Sequence, residues 1–166
     1  MKLKPIYIVG IVAFIAIVVV VTAIFVPTNV PPYDTAVAFA HAAGKGDDAT
    51  ARSYLSPELQ TWGSANCREG SISACVDDYT PSDWGNMLSV VFRRAQPDGA
   101  NAFDIQLVAT YENNQGFSGV CIYTRVEQVK SNTWQVTRWS GWMSCDDPNG
   151  GLDNLINNSS VPNRAP

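Results

Sequence analysis

One long uncharged segment constrains this chain more than any other feature. Residues 6–26 (IYIVGIVAFIAIVVVVTAIFV) carry no charged side chain over 21 positions. As a helix they would extend about 31 Å, enough to cross the hydrocarbon layer of a bilayer. A cleaved secretory signal has an apolar region of only about 7–15 residues, with its small-residue cleavage site after that region. The length therefore favours a permanent single-pass anchor over a signal peptide.

The flanks of this segment give it an orientation. Lys2 and Lys4 precede it and an acidic region follows it. The positive-inside bias therefore predicts a cytoplasmic stub at 1–5, a transmembrane helix at 6–26 and an extracytoplasmic location in the cell membrane for the remainder. The lipid bilayer is thus one expected partner, and a receptor that signals through its own cytoplasmic domain is excluded.

Composition divides the exported part into three. Residues 27–32 end in two adjacent prolines, which predicts a short extended spacer. Residues 33–145 hold the periodic segments of an α+β domain. Residues 146–166 (DDPNGGLDNLINNSSVPNRAP) form a polar tail expected to be flexible, in which three apolar residues at helical spacing are suited to docking on a neighbour, namely Leu152, Leu155 and Ile156.

Charge excludes one class of partner. The chain has 11 basic and 15 acidic residues, and two of the basic residues belong to the stub. The exported part is therefore acidic and has no basic stripe that would neutralise phosphates. We expect no nucleic-acid partner.

Four cysteines agree with export. Cys67, Cys75, Cys121 and Cys145 show no CxxC spacing and share the chain with one histidine, which argues against zinc. An oxidising compartment makes two disulfides the default, with three possible connectivities. We favour Cys67–Cys75, which closes a small loop rich in Gly, Ser and Asn, and consequently Cys121–Cys145.

Capping signals predict short helices at the start of the domain. Asp34 is suited to cap a first helix that runs to about Ala43. Asp47 or Asp48 is suited to cap a second helix that runs to Leu55. Ser56 is suited to cap a third helix, which starts with Pro57. Residues 63–79 lack periodicity and predict a stapled loop. A helical turn is expected after Thr80, near Trp84.

From Met87 the period changes to two, which predicts four strands of an antiparallel meander: Met87 to Gln96, Ala102 to Glu112, Gly119 to Lys130 and Trp134 to Cys145. In the second strand the apolar residues from Phe103 to Tyr111 share one face, and Asp104 and Gln106 lie on the other. Helices followed by such a sheet define an α+β fold.

Cross-strand pairing favours one register for the last hairpin. A turn centred on Ser131-Asn132 would place Arg125 opposite Arg138, whereas a turn centred on Asn132-Thr133 pairs oppositely charged and apolar residues, namely Glu127 with Arg138, Val129 with Val136, Val126 with Trp139 and Tyr123 with Trp142. We predict the second. A one-residue bulge at Gly141 would then bring Cys145 opposite Cys121.

Several of these positions form a familiar pattern: Phe39, Ala42, Gly46-Asp47, Ala51 and Leu55-Ser56-Pro57-Glu58-Leu59, then Gly116-Phe117 and Trp134-x-Val136-x-x-Trp139. Over about residues 33–145 it resembles the nuclear transport factor 2-like superfamily, and within it the membrane-anchored extracytoplasmic bacterial domains of unknown function. The resemblance implies a curved four-stranded sheet wrapped around helices, a cone whose open end holds a ligand, serves as an active site or is closed by a partner. The Cys67–Cys75 insertion departs from that pattern.

Catalytic chemistry is poorly represented. His41 lies between alanines on the first helix, and Asp83 is best explained as a helix cap. Tyr111 and Asp104 point to opposite faces of one strand, so they do not form an acid pair. No G-x-S-x-G, H-E-x-x-H or phosphate-binding glycine loop occurs. We predict no catalytic residue, no metal site and no cofactor.

Aromatic residues give a stronger hint, because they anchor partners and line apolar pockets. We expect Trp134 and Trp139 to fill the concave face of the sheet, and assign possible partner or ligand contacts to Trp62, Trp142, Tyr111 and Tyr123. The leading hypothesis is a non-catalytic accessory or scaffolding subunit of a larger membrane assembly. The alternatives are a module that binds a small apolar ligand in the cone and, third, a hydrolase or isomerase.

Overall fold

The structure is a computed structural model that describes residues 31–78, 80, 82–113 and 120–145, with the backbone alone for 140–144. The predicted stub at 1–5, span at 6–26 and tail at 146–166 lie outside these residues. Within the described part, no helix is both long and apolar enough to cross a bilayer.

Four helices precede the sheet: α1 at Pro31–Gly44, α2 at Asp48–Ser53, α3 at Pro57–Asn66 and α4 at Ile72–Asp77. Helix α1 begins at Pro31, three residues before the predicted cap, so the last two residues of the predicted spacer are helical. Prolines fit there because the N–H groups of a first helical turn have no intrahelical partner. The caps of α2 and α3 are as predicted, since Asp47 Oδ1 accepts from the Thr50 amide and Ser56 Oγ accepts from the Leu59 amide.

The prediction of a loop at 63–79 is wrong, because this segment contains regular structure. Helix α3 continues to Asn66, a 3₁₀ turn spans Arg68–Gly70, and α4 follows. Ser71 caps α4 by accepting a hydrogen bond from the Ala74 amide, and the Asp48 carboxylate accepts from both Ser71 Oγ and the Ser73 amide. The short helix is thus stabilised by a residue of α2, a contact that sequence periodicity does not reveal.

A second 3₁₀ turn, Ser82–Trp84, leads into the sheet. Its strands are β1 at Met87–Pro97, β2 at Ala102–Tyr111, β3 at Val120–Lys130 and β4 at Thr133–Ser144, and they pair antiparallel in that order. The predicted α+β class and four-stranded meander are confirmed, with strand ends that differ by one residue.

The predicted register of the last hairpin is wrong. Lys130 pairs with Thr133, so the turn is Ser131-Asn132, and Arg125 faces Arg138. Asn132 takes a left-handed φ of 61°, which asparagine tolerates better than most residues. The expected Arg125–Arg138 repulsion is offset, because the Arg125 guanidinium is paired with three carboxylates: Asp98, Asp104 and Glu127.

Both preferred disulfides are present, Cys67–Cys75 and Cys121–Cys145, each with a Cα–Cα distance of 5.0 Å. The bulge predicted near Gly141 is present too, but it does not bring Cys145 opposite Cys121 as predicted, because Cys121 pairs with Met143. Between the Ile122–Trp142 and Thr124–Trp139 pairs, β4 has two residues where β3 has one.

The helices pack on one face of the sheet, which we call the helix-facing face. In β2 this face carries Ile105, Leu107 and Ala109, all fully buried. Its largest fully buried partners come from the helices, from the segment between α2 and α3, and from β4: Phe39, Leu55, Leu59, Ile72 and Trp139. The helix-facing face of the sheet is therefore filled by the chain's own side chains.

Candidate functional site

The four residues predicted to contact a partner or ligand do not converge. Trp62 is half-buried and packs edge-on against Trp139, with ring centroids 6.3 Å apart. Tyr111 and Tyr123 are both buried, on opposite faces of the sheet. The side chain of Trp142 lies outside the described residues. No single surface of the described domain thus presents this set.

The residues weighed for catalysis are also apart. His41 is exposed on α1, and Asp83 is exposed in the second 3₁₀ turn. Asp104 and Tyr111 lie on opposite faces of β2, as strand parity predicts. Among the described residues, no three His, Cys, Asp or Glu side chains are placed to hold a metal ion together.

The face opposite the helices, which we call the outer face, carries a polar network. The Gln106 amide nitrogen lies 3.0 Å from Cys121 Sγ and 3.2 Å from the Tyr123 hydroxyl oxygen, and its amide oxygen accepts from Arg94 Nε. Gln106, Cys121 and Tyr123 are fully buried. The network orders the side chains around the Cys121–Cys145 disulfide.

Charged residues extend the outer face toward the β1–β2 turn. Arg125 Nη1 donates to both oxygens of Asp104 at 3.2 and 3.1 Å, and Nε donates to Glu127 at 2.9 Å, while Nη2 bonds Asp98. Burial acts to lower the pKa of Arg125, but hydrogen bonds to Asp98 and Glu127 and the charge of Asp104 outweigh it, so the pKa is raised.

Asp104 responds differently from its partner. Its side chain is only 3% exposed, and burial raises its pKa above the usual 3.8 although the charge and hydrogen bonds of Arg125 act in the opposite direction. Burial is thus the dominant influence on Asp104, whereas three carboxylates outweigh it at Arg125. This cluster, with three carboxylates around one guanidinium, is a hydrogen-bonded structural element of the outer face.

Two open clefts lie at the ends of the sheet. One, of about 460 Å³, is lined by the β1–β2 turn and the end of β3, including Asp98, Glu127 and Val129. The other, of about 480 Å³, lies where α1 ends, and its lining includes Lys45, Asp77 and Glu112. Both linings are largely polar, unlike the apolar cavity that a ligand-filled cone requires.

Exposed apolar residues concentrate on β1. Leu88 and Val91 are 52% and 54% exposed, and Phe92 is 41% exposed, whereas the other large exposed hydrophobic residue described, Val129, lies near the end of β3. We call Leu88, Val91 and Phe92 the β1 strip. Val91 pairs with Val108 on the outer face and Phe92 pairs with Leu107 on the helix-facing face, so the strip lies on both sides of one strand. Scattered single apolar residues on a surface are ordinary, but three within five positions of one strand make that strand a candidate for binding other proteins.

The β1 strip lies on an edge strand. Strand β1 pairs with β2 alone in the described sheet, so the other side of its backbone has no strand partner there. Register shifts at Leu88 and Arg93 leave these two residues as extra, bulged positions, a device that limits uncontrolled edge pairing. Phe92 is held in place by stacking on Tyr33 of α1, with ring centroids 4.6 Å apart.

The β1 strip was missed at the sequence level. Residues 87–92 (MLSVVF) predict a strand, but a run of consecutive apolar residues is equally typical of a fully buried strand. Only the strand order shows that this run is at the edge. The exposed Arg93 and Arg94 that follow it are the one sequence signal, since charged residues are common on edge strands.

Comparisons of this chain with protein-family models, with curated proteins and with solved structures find no match. The site therefore has to be judged on its own geometry.

Proposed function

We propose that this protein is a single-pass membrane-anchored, extracytoplasmic accessory or scaffolding subunit of a larger membrane protein complex, without catalytic activity of its own. The observation that carries the proposal is the β1 strip. Leu88, Val91 and Phe92 expose apolar area on a strand whose outer edge is unpaired within the described sheet. A subunit whose role is to hold a partner needs such a surface and needs no reactive group.

Three further features support it. The apolar segment at 6–26 is long enough for a membrane anchor. Helix α1 begins at Pro31, so only residues 27–30 separate that segment from the folded domain, about 13 Å if fully extended. Two disulfides suit an oxidising extracytoplasmic compartment.

The nuclear transport factor 2-like fold belongs to the same proposal. Helices first, then a four-stranded antiparallel sheet with the helices on one face, is compatible with that superfamily. In this chain Phe39, Leu55 and Trp139 fill the helix-facing face, which would be the concave side in that superfamily. That filling favours a scaffold over a module with an open ligand cavity.

The experiment compares native assemblies of three proteins, the wild type, Val91→Asp and the matched control Val129→Asp, which makes the same change at an exposed valine away from β1. Each is expressed in its native membrane, solubilised in mild detergent and weighed by native mass spectrometry. We expect the wild type and Val129→Asp in one stoichiometric complex, and Val91→Asp largely released from it, because a buried unpaired charge at an interface costs about 2 kcal/mol or more. A wild-type protein that occurs only as a lone monomer contradicts the proposal.

A further inference from the structure

The centre of the outer face is buried although the helices lie on the other side. Gln106, Cys121 and Tyr123 are fully buried and Asp104 is 2% exposed, whereas Val91 on the β1 side of this face is exposed. In a sheet with helices on one face, the other face is usually solvated. The buried centre on β2 and β3 therefore needs a cover.

The described residues supply little of that layer. The hydrophobic residues packed on Cys121 and Tyr123 within the described chain are Val108, from the same face, and Cys145. Arg93 reaches Cys121 Sγ at 3.9 Å but is itself exposed. A tyrosine ring with no exposed surface needs neighbours above the sheet as well as beside it. The hydrophobic residues of the described chain thus supply little apolar cover for Tyr123.

The chain leaves the described domain at this face. Cys145 is held to Cys121 by the disulfide, and 21 residues follow it. The first two, Asp146 and Asp147, are acidic, and exposed Arg93 and Arg94 border the outer face on β1. Leu152, Leu155 and Ile156 supply the apolar side chains that a cover for Val108 and Tyr123 requires.

We propose that residues 146–166 dock on the outer face, with Leu152, Leu155 and Ile156 against Val108, Tyr123 and the Cys121–Cys145 disulfide. The disulfide fixes the origin of the tail beside its docking site, which lowers the entropy cost of docking. The docking site adjoins the β1 strip at Val91, which pairs with Val108, but the intramolecular interaction does not depend on the proposed partner.

The first test uses nitration of tyrosine in the purified full chain, read by peptide mass spectrometry. Tyr123 on the outer face is the probe, and Tyr111, buried on the helix-facing face, is the internal control for loss of the fold. The variant replaces three residues together (Leu152→Asn, Leu155→Asn, Ile156→Asn). The matched control replaces three polar residues of the same segment (Asn154→Ala, Asn157→Ala, Asn158→Ala).

We expect the apolar-to-polar variant to raise the nitration rate of Tyr123 by about tenfold or more, because loss of the docked segment leaves that face open. Tyr111 should stay protected, and the control variant should behave as the wild type. Protection of Tyr123 that persists in the variant while Tyr111 is also protected overturns the proposal.

A second measurement decides the result if the variant exposes both tyrosines by unfolding. A photo-crosslinking amino acid at position 155 of the otherwise unchanged full chain is activated by light, and the crosslinked peptides are identified. Crosslinks to residues 104–108 or 121–125 support docking on the outer face. Crosslinks that go elsewhere in the chain, to another protein or nowhere overturn it.

Discussion

Both faces of the sheet have a buried centre, but the two centres differ in chemistry. On the helix-facing face, Ile105 and Leu107 are covered by apolar helix residues such as Phe39. On the outer face the intervening Asp104 and Gln106 are just as inaccessible, but they are satisfied by Arg125, Arg94 and Tyr123.

The difference shows that strand alternation sorts residues by face, not by exposure. An apolar face is buried because removing its area from water lowers the free energy, by roughly 25 cal/mol per Å². A polar face is buried only if hydrogen bonds and ion pairs replace those with water. The helix-facing face should therefore contribute most of the stability, and the outer face less of it and with a dependence on pH.

The largest effect is expected on the helix-facing face. Phe39→Ala should lower the free energy of unfolding by about 3–5 kcal/mol, because it leaves a cavity beside Trp139 in a filled core. Val91→Ala on the exposed β1 strip is the control and should change it by less than about 0.5 kcal/mol. Chemical denaturation measures both. A loss below about 1 kcal/mol for Phe39→Ala would mean that the helices pack loosely on the sheet.

The disulfides come next, one near each face. Replacing Cys121 and Cys145 together by alanine should cost about 3.5 kcal/mol, and the same change at Cys67 and Cys75 about 2.5 kcal/mol. The order follows from sequence separations of 24 and 8, since the longer loop restricts the unfolded chain more. Thermal unfolding of the two variants tests this. The reverse order would point to lost contacts at the Cys67–Cys75 segment as the main contribution.

A smaller effect is expected from Asp104→Asn, about 1 kcal/mol at neutral pH, because Arg125 keeps Asp98 and Glu127. The sign with pH is distinctive. Burial raises the pKa of Asp104 in the folded protein above 3.8, so the folded state binds the proton more tightly than the unfolded state. The stability of the wild type relative to the variant should therefore fall as pH rises through that raised pKa. A difference that grows with pH would show that Arg125 dominates over burial.

The smallest effect is expected from Glu112→Gln, with the opposite sign. Hydrogen bonds from the backbone and side chain of Asn86 lower the pKa of Glu112 below its usual 4.5. The folded state then loses stability relative to the variant as pH falls through the usual and then the lowered pKa. Unfolding curves between pH 3 and 6 for wild type and variant measure it. Parallel curves would mean that the Asn86–Glu112 contact does not persist in solution.

Prediction from sequence succeeded where one local signal decides the outcome. Asp47 and Ser56 cap helices because their side chains reach amides three residues away, and the strands follow the period of two. It failed where a distant residue decides. Asp48 stabilises the helix at Ile72–Asp77 from 25 positions away, and the carboxylates around Arg125 offset the repulsion that the predicted hairpin register avoided.

The candidate site was the least predictable part, since exposure depends on strand order. Residues 87–92 read as a strand in either a central or an edge position, and Tyr111 and Tyr123 read as surface anchors although the sheet buries both.

Local signals were enough to predict the α+β class and the four strands, because helix caps and hydrophobic period act over short distances, and the cysteine pairing that they favoured is present. The burial of the centre of the outer face and the edge position of β1 became known only from the folded structure. Both depend on which segments lie beside each other in the fold, and the free energy of burial is a property of that packing rather than of any one segment.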